Sequence, residues 1–162
     1  VGGAAACAAL ASCGVATPFR GTGWSASRGV TLPDAGPTVW VGVTNALLDG
    51  AKRGPFDRHT RLVLASLPDQ EGYIGHSVRG RILGHEVWTM TVWRDADVLE
   101  AFIESAVHVE AIRQGLPAVR RAKFVRFEWP ADRVPPAWAD VLTRLDAATA
   151  IEYRTGRPAH AD

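Results

Sequence analysis

The hydrophobic period of this chain switches between two and about 3.6 residues in a fixed order. Residues 38–48 (TVWVGVTNALL) alternate, with Val39, Val41, Val43, Asn45 and Leu47 on one side and Trp40, Gly42, Thr44 and Ala46 on the other. That pattern, rich in β-branched residues, predicts a strand, and Asp49-Gly50 ends it. Behind Pro55, which suits a first helical turn, Phe56, His59, Thr60, Val63 and Leu67 recur at helical spacing until Pro68. Residues 72–79 predict a second strand, residues 80–86 with two glycines a connection, and residues 87–94 a third strand. Asp95 is an N-cap candidate, and Asp97 suits the positive end of a helix whose stripe is Val98, Leu99, Phe102, Ile103 and Ala106. The helical pattern runs on less cleanly through residues 107–114 to the break at Gly115-Leu116-Pro117, and residues 118–122 read as one further turn. Residues 123–129 alternate again, and Pro130 stops them. Pro135-Pro136 leads into a helix over 137–148 with Trp138, Val141, Leu142 and Leu145 on one side. The tail from residue 154 is polar and reads as frayed.

The order β-α-β-β-α-β specifies an α+β fold: a ferredoxin-like antiparallel sheet with helices on one face, plus a C-terminal helix. The other face, with Trp40, Gly42 and Thr44 on the first strand, Trp88, Met90 and Val92 or their opposites on the third and Phe124 or Phe127 on the fourth, is too apolar for open water and needs a cover. A second copy of the chain is the cheapest one, so a homodimer is expected.

Four segments follow. Residues 38–130 carry the fold, residues 131–162 add a helix and tail, and residues 14–37 have no period and read as a flexible tether or a loosely docked arm, with Phe19 and Trp24 placed to pin parts of it to the body. Residues 1–13 are small and apolar and hold both cysteines, Cys7 and Cys13, so the folded body uses neither a disulfide nor a Cys-ligated metal. Leu10-Ala11-Ser12-Cys13 before Gly14 resembles a bacterial lipoprotein lipobox. That resemblance implies lipidation of Cys13 and a lipid anchor in the cell envelope; the alternative is an Ala-rich leader and a cytoplasmic location. A net charge of +1 advertises no surface for nucleic acid, and no run of apolar residues is long enough for a transmembrane helix.

Residues 88–112 (WTMTVWRDADVLEAFIESAVHVEAI) resemble the antibiotic biosynthesis monooxygenase-like, dimeric α/β-barrel proteins. The matching positions are Trp88, Trp93, Asp95, Ala101, Phe102, Ser105 and His108, and Gly72-Tyr73-Ile74-Gly75 resembles the family's start of the second strand. The resemblance spans roughly residues 38–130. It implies a dimeric barrel, and a function among cofactor-free quinol or anthrone monooxygenases, haem-degrading enzymes, or members without known activity. The haem branch is disfavoured: Asn45 matches its Asn, but Phe102 stands where its Trp belongs and Ile112 where its axial His belongs. No cofactor is therefore expected.

His108 reads either as an acid–base group lining a pocket or as a packed helix histidine. Asn45 reads either as an amide that orients substrate oxygen or as a strand-end Asn bonded to backbone. Trp88, Trp93 and Phe102 are candidates for stacking on an aromatic substrate, with core packing as the alternative. Arg79 and Arg81 would suit an acidic ligand; exposed hairpin charge is the ordinary explanation. His76, His85 and Glu86 lack metal-ligand spacing and read as hairpin surface, so no metal is expected. The resulting expectation is a small-molecule monooxygenase-like protein with His108 and Asn45 catalytic, or a non-catalytic ligand-binding or stress-related module of the same fold.

Overall fold

The computed structural model describes residues 14–154 and 157–158. The segment with Cys7, Cys13 and the lipobox lies outside them. The strands are β1 (Gly14–Ala16), β2 (Trp24–Ser25), β3 (Gly29–Val30), β4 (Thr38–Leu48), β5 (Tyr73–Arg81), β6 (Glu86–Trp93), β7 (Val119–Pro130), β8 (Ile151–Arg154) and β9 (Arg157–Pro158). The α-helices are α1 (Arg53–Ser66), α2 (Ala96–Ile103), α3 (Ala106–Gly115) and α4 (Trp138–Asp146).

The main sheet runs β1-β5-β6-β4-β7-β8-β9. Its centre, β5-β6-β4-β7, is antiparallel throughout and is the ferredoxin-like arrangement the periodicity specifies. The alternation in β4 does what it promises. Val39, Val41 and Val43 are buried on one face with Met90 and Val92 of β6. Trp40 turns to the other, where Trp93, Leu99, Phe102 and Leu67 form a second core.

Asp95 caps α2 as expected, its carboxylate accepting from the Val98 amide at 2.9 Å. The single long helix expected beyond it is two. The first ends at Ile103, and Ser105 caps the second by accepting from the His108 amide. Ser105 is a good N-cap residue, and it competes with helix continuation at that point. The turn expected over 118–122 is strand instead: β7 begins at Val119, opposite Leu48 across an irregularity in the register. Val119 and Ala122 are buried against Leu48 and Ala46, so tertiary burial overrides the local pattern there.

Of the two readings of residues 14–37, the flexible tether is corrected and the docked arm holds, pinned by Phe19 and Trp24 as expected. β1 pairs with β5, and β2 with β3 makes a small hairpin. Phe19, Trp24, Val30 and Leu32 pack onto the Val39–Val41–Val43 face, together with Val134, Trp138, Val141, Leu142 and Leu145 from α4 and its approach. Phe19 meets Trp24 edge-on with ring centroids 5.2 Å apart, and the Trp24 indole donates to the Val134 carbonyl at 3.2 Å. Ser77, fully buried on β5, joins both covers: its hydroxyl donates to the Thr17 carbonyl at 2.8 Å and accepts from the Trp138 indole at 3.1 Å. Arg94 adds a surface clasp, reaching Asp34 of the arm at 2.6 Å as well as Asp95 and Glu71. The Trp40, Gly42 and Thr44 side of β4, expected to need a second copy, is the side the helices cover, and the opposite side is covered by the arm and α4. The packing argument for a homodimer through that face no longer applies.

Candidate functional site

A cavity of about 450 Å³ lies between the sheet and the helices α1, α2 and α3. Its floor is Gly42, Thr44, Ala46, Thr89, Thr91 and Ala122, all small residues that hold helix side chains off the sheet without filling the gap. Its walls are mostly apolar, with Phe56 and Val63 from α1, Phe102 from α2 and Ile112 from α3. Gly42 sets part of the clearance. A Cβ there would stand 3.1 Å from Leu99 Cδ1 and 3.3 Å from Thr91 Oγ1, so a side chain would displace the α2 residue. Ile112 and Phe124 line the cavity yet are about half exposed, which locates its opening between α3 and β7.

His108 lines this cavity from the first turn of α3. Its Nδ1 is 2.9 Å from the Ile103 carbonyl at the end of α2. A carbonyl only accepts, so Nδ1 carries the proton and Nε2 keeps the lone pair. Burial holds the imidazole pKa below its ordinary value; the Ile103 carbonyl opposes that, and the Arg126 cation adds to it. The ring packs against Phe102 at 4.9 Å between centroids, Phe102 stacks on Trp93 at 4.6 Å, and Trp93 meets Tyr73 edge-on. This row of rings fixes the angle of the imidazole. Arg126, also lining the cavity, forms an ion pair with Glu100.

The candidate residues separate. His108 and Phe102 share the cavity. Trp93 is fully buried behind Phe102 and lines neither cavity; it supports the stack and does not meet a ligand directly. Asn45 and Trp88 are on the opposite face of the sheet. Asn45 donates to Glu86 Oε1 at 3.2 Å and to the Val87 carbonyl at 3.3 Å, and it lines a different pocket with Arg79 and Lys123. Joint action of Asn45 and His108 on one substrate is therefore corrected by geometry, since alternate residues of a strand point to opposite faces. The polar residues that do accompany His108 are Thr44, Thr60, Thr89, Thr91, Arg126 and Tyr153. Sequence reasoning missed them, although the threonines of β6 stand at even spacing on the face opposite Trp88.

His76 is also corrected. It is buried rather than on a hairpin surface, and its Nδ1 meets the Tyr73 hydroxyl at 2.5 Å. Burial pushes its pKa down to about 4, with Arg20 adding to the shift, and pushes the Tyr73 phenol up to about 12.

No family model matches the sequence, and no curated protein matches it. Solved structures match the fold. A candidate antibiotic biosynthesis monooxygenase from Nitrosomonas europaea superposes with a TM-score of 0.54 at 13% identity, over 63% of this chain and 96% of that one. A conserved protein of unknown function from Bacteroides thetaiotaomicron, described as a possible oxidoreductase, gives 0.50 at 17% identity, over 59% of this chain and 100% of that one. A candidate monooxygenase from Lactobacillus acidophilus gives 0.50 at 13% identity, over 60% of this chain and 49% of that one. At these identities the likeness is one of fold. The chain has the monooxygenase-like ferredoxin fold, extended by its arm and C-terminal helix.

Proposed function

We propose that the protein is a cofactor-independent monooxygenase-like enzyme acting on a small aromatic or quinol-type compound in the helix-side cavity, with His108 as the base. One observation carries the reading: a neutral imidazole, its tautomer set by the Ile103 carbonyl, lines a largely apolar cavity large enough for a small aromatic molecule. A base whose pKa is held low by burial is unprotonated at neutral pH and ready to accept a proton. In this chemistry His108 removes a proton from an activated C–H or O–H, and the resulting substrate anion reduces dioxygen. At a methylene carbon, one oxygen atom ends as the new carbonyl and the other leaves as water, so the substrate is the only reductant. The apolar walls keep bulk water from the anion, Phe102 stacks on the ring, and the threonine hydroxyls of the floor orient its oxygens.

Oxygen uptake with a panel of anthrones and hydroquinones tests this. Wild type consumes oxygen and H108A falls by about a hundredfold or more while still binding the compound. Binding without oxygen uptake in wild type would assign the cavity to a ligand-binding module instead.

A further inference from the structure

A second pocket, of about 320 Å³, opens on the other face of the sheet, beneath the C-terminal end of α4. Its floor is one row across four strands: Arg79 of β5 opposite Trp88 of β6, Trp88 opposite Asn45 of β4, Asn45 opposite Lys123 of β7. Arg121 and Arg81 stand at the rims, and Leu142, Leu145 and Asp146 of α4 form the roof. Four basic side chains thus face two acidic ones, Glu86 and Asp146.

The pairing inside the pocket is uneven. Glu86 is engaged by Arg81 and by Asn45, and the Lys123 ammonium donates to the Leu145 and Asp146 carbonyls that end α4. Arg79 and Arg121 have no ion pair among the described residues. Arg79 is also held in place. Its guanidinium lies over the Trp88 ring at 5.7 Å, and Gly14 of β1 passes so close that a Cβ would stand 2.4 Å from its Nε. That Nε is buried without an acceptor. A fixed guanidinium with unmet donors beside a polar cavity is built for an oxyanion, and leaving it unpaired is costly. The two unpaired cations stand on opposite sides of the Trp88–Asn45 pair. Their strands are three spacings apart, about 14 Å at the backbone, which two long inward-reaching side chains narrow to the length of a short dicarboxylate.

We propose that this pocket binds a small organic dianion with an ionised carboxylate at each end, one held by Arg79 and the other by Arg121. The site is separate from the His108 cavity and does not depend on oxygenase activity.

Calorimetric titration of the full chain at constant ionic strength tests it, with succinate as probe and acetate as the one-ended control. Saturable succinate binding is expected, with acetate at least tenfold weaker. R79Q and R121Q each weaken succinate at least tenfold, and R28Q, on an exposed turn elsewhere, leaves it unchanged. Circular dichroism checks that each variant is folded, and R121Q serves should R79Q not fold. Absence of saturation, equal affinity for acetate, or a loss in only one of two folded variants overturns the proposal.

Discussion

Asn45 and His108 lie on opposite faces of one sheet, the first against the α4 side and the second against α1, α2 and α3. Each therefore has its own consequences. N45A leaves compound binding and oxygen uptake in the helix-side cavity within about twofold of wild type, whereas H108A abolishes turnover. A comparable loss in folded N45A, measured by oxygen electrode, would contradict the partition.

The cavity itself can be closed from α3. Ala111 is half-buried on the lining, and A111L places an isobutyl group where a ligand would sit. The added apolar burial stabilises by about 1 kcal/mol, while ligand affinity drops at least tenfold. Thermal unfolding and fluorescence titration on the same sample give both quantities. Unchanged affinity with the cavity filled would place the ligand elsewhere.

Acid sensitivity follows from the buried imidazoles. The folded-state pKa of His76 is about 4 against an ordinary 6.5, so below pH 6.5 the unfolded chain takes up a proton that the folded chain resists. The contribution is intact above about 6.5 and is lost as pH falls toward 4, at most about 3 kcal/mol. His108 acts in the same direction. Urea midpoints at pH 7 and pH 4.5 should differ less in H76Q than in wild type. Equal differences would show that His76 is not held neutral.

Ser77 ties the arm and α4 to the sheet through one hydroxyl. S77A leaves the Trp138 indole N–H and the Thr17 carbonyl without this partner, a cost of about 1–3 kcal/mol. Leu145→Ala, at a buried position on the inner side of α4, costs about 2–5 kcal/mol. Deleting the arm should uncover Val39, Val41 and Val43 and drive self-association in sedimentation beyond that of the whole chain. A truncated chain as monodisperse as the whole one would mean that the arm covers nothing of consequence.

The central fold was legible because β4, β5, β6 and α2 carry their period and caps in the open, Asp95 being the clearest signal. The arm was legible only through Phe19 and Trp24, because Phe19, Trp24, Val30 and Leu32 stand at no regular spacing and dock one by one onto a surface that exists only after folding. The start of β7 was hidden for a related reason: Val119 and Ala122 are strand only because Leu48 and Ala46 lie beside them. For the site, the residue types were readable, and so was the alternation that separates Asn45 from Thr44. What the sequence leaves open is which face the helices α1 to α3 choose, and that choice assigns His108 its neighbours.

The alternation of β4 also ranks the kinds of change this protein tolerates. Thr44 belongs to one chamber and Asn45 to the other, so a substitution in the strand alters one lining and spares its counterpart. A single inserted residue ahead of Thr44 would exchange the two linings wholesale, sending valines toward the threonine floor and glycine toward the arm. Point substitutions can retune either chamber alone, but the length of β4 sets both at once.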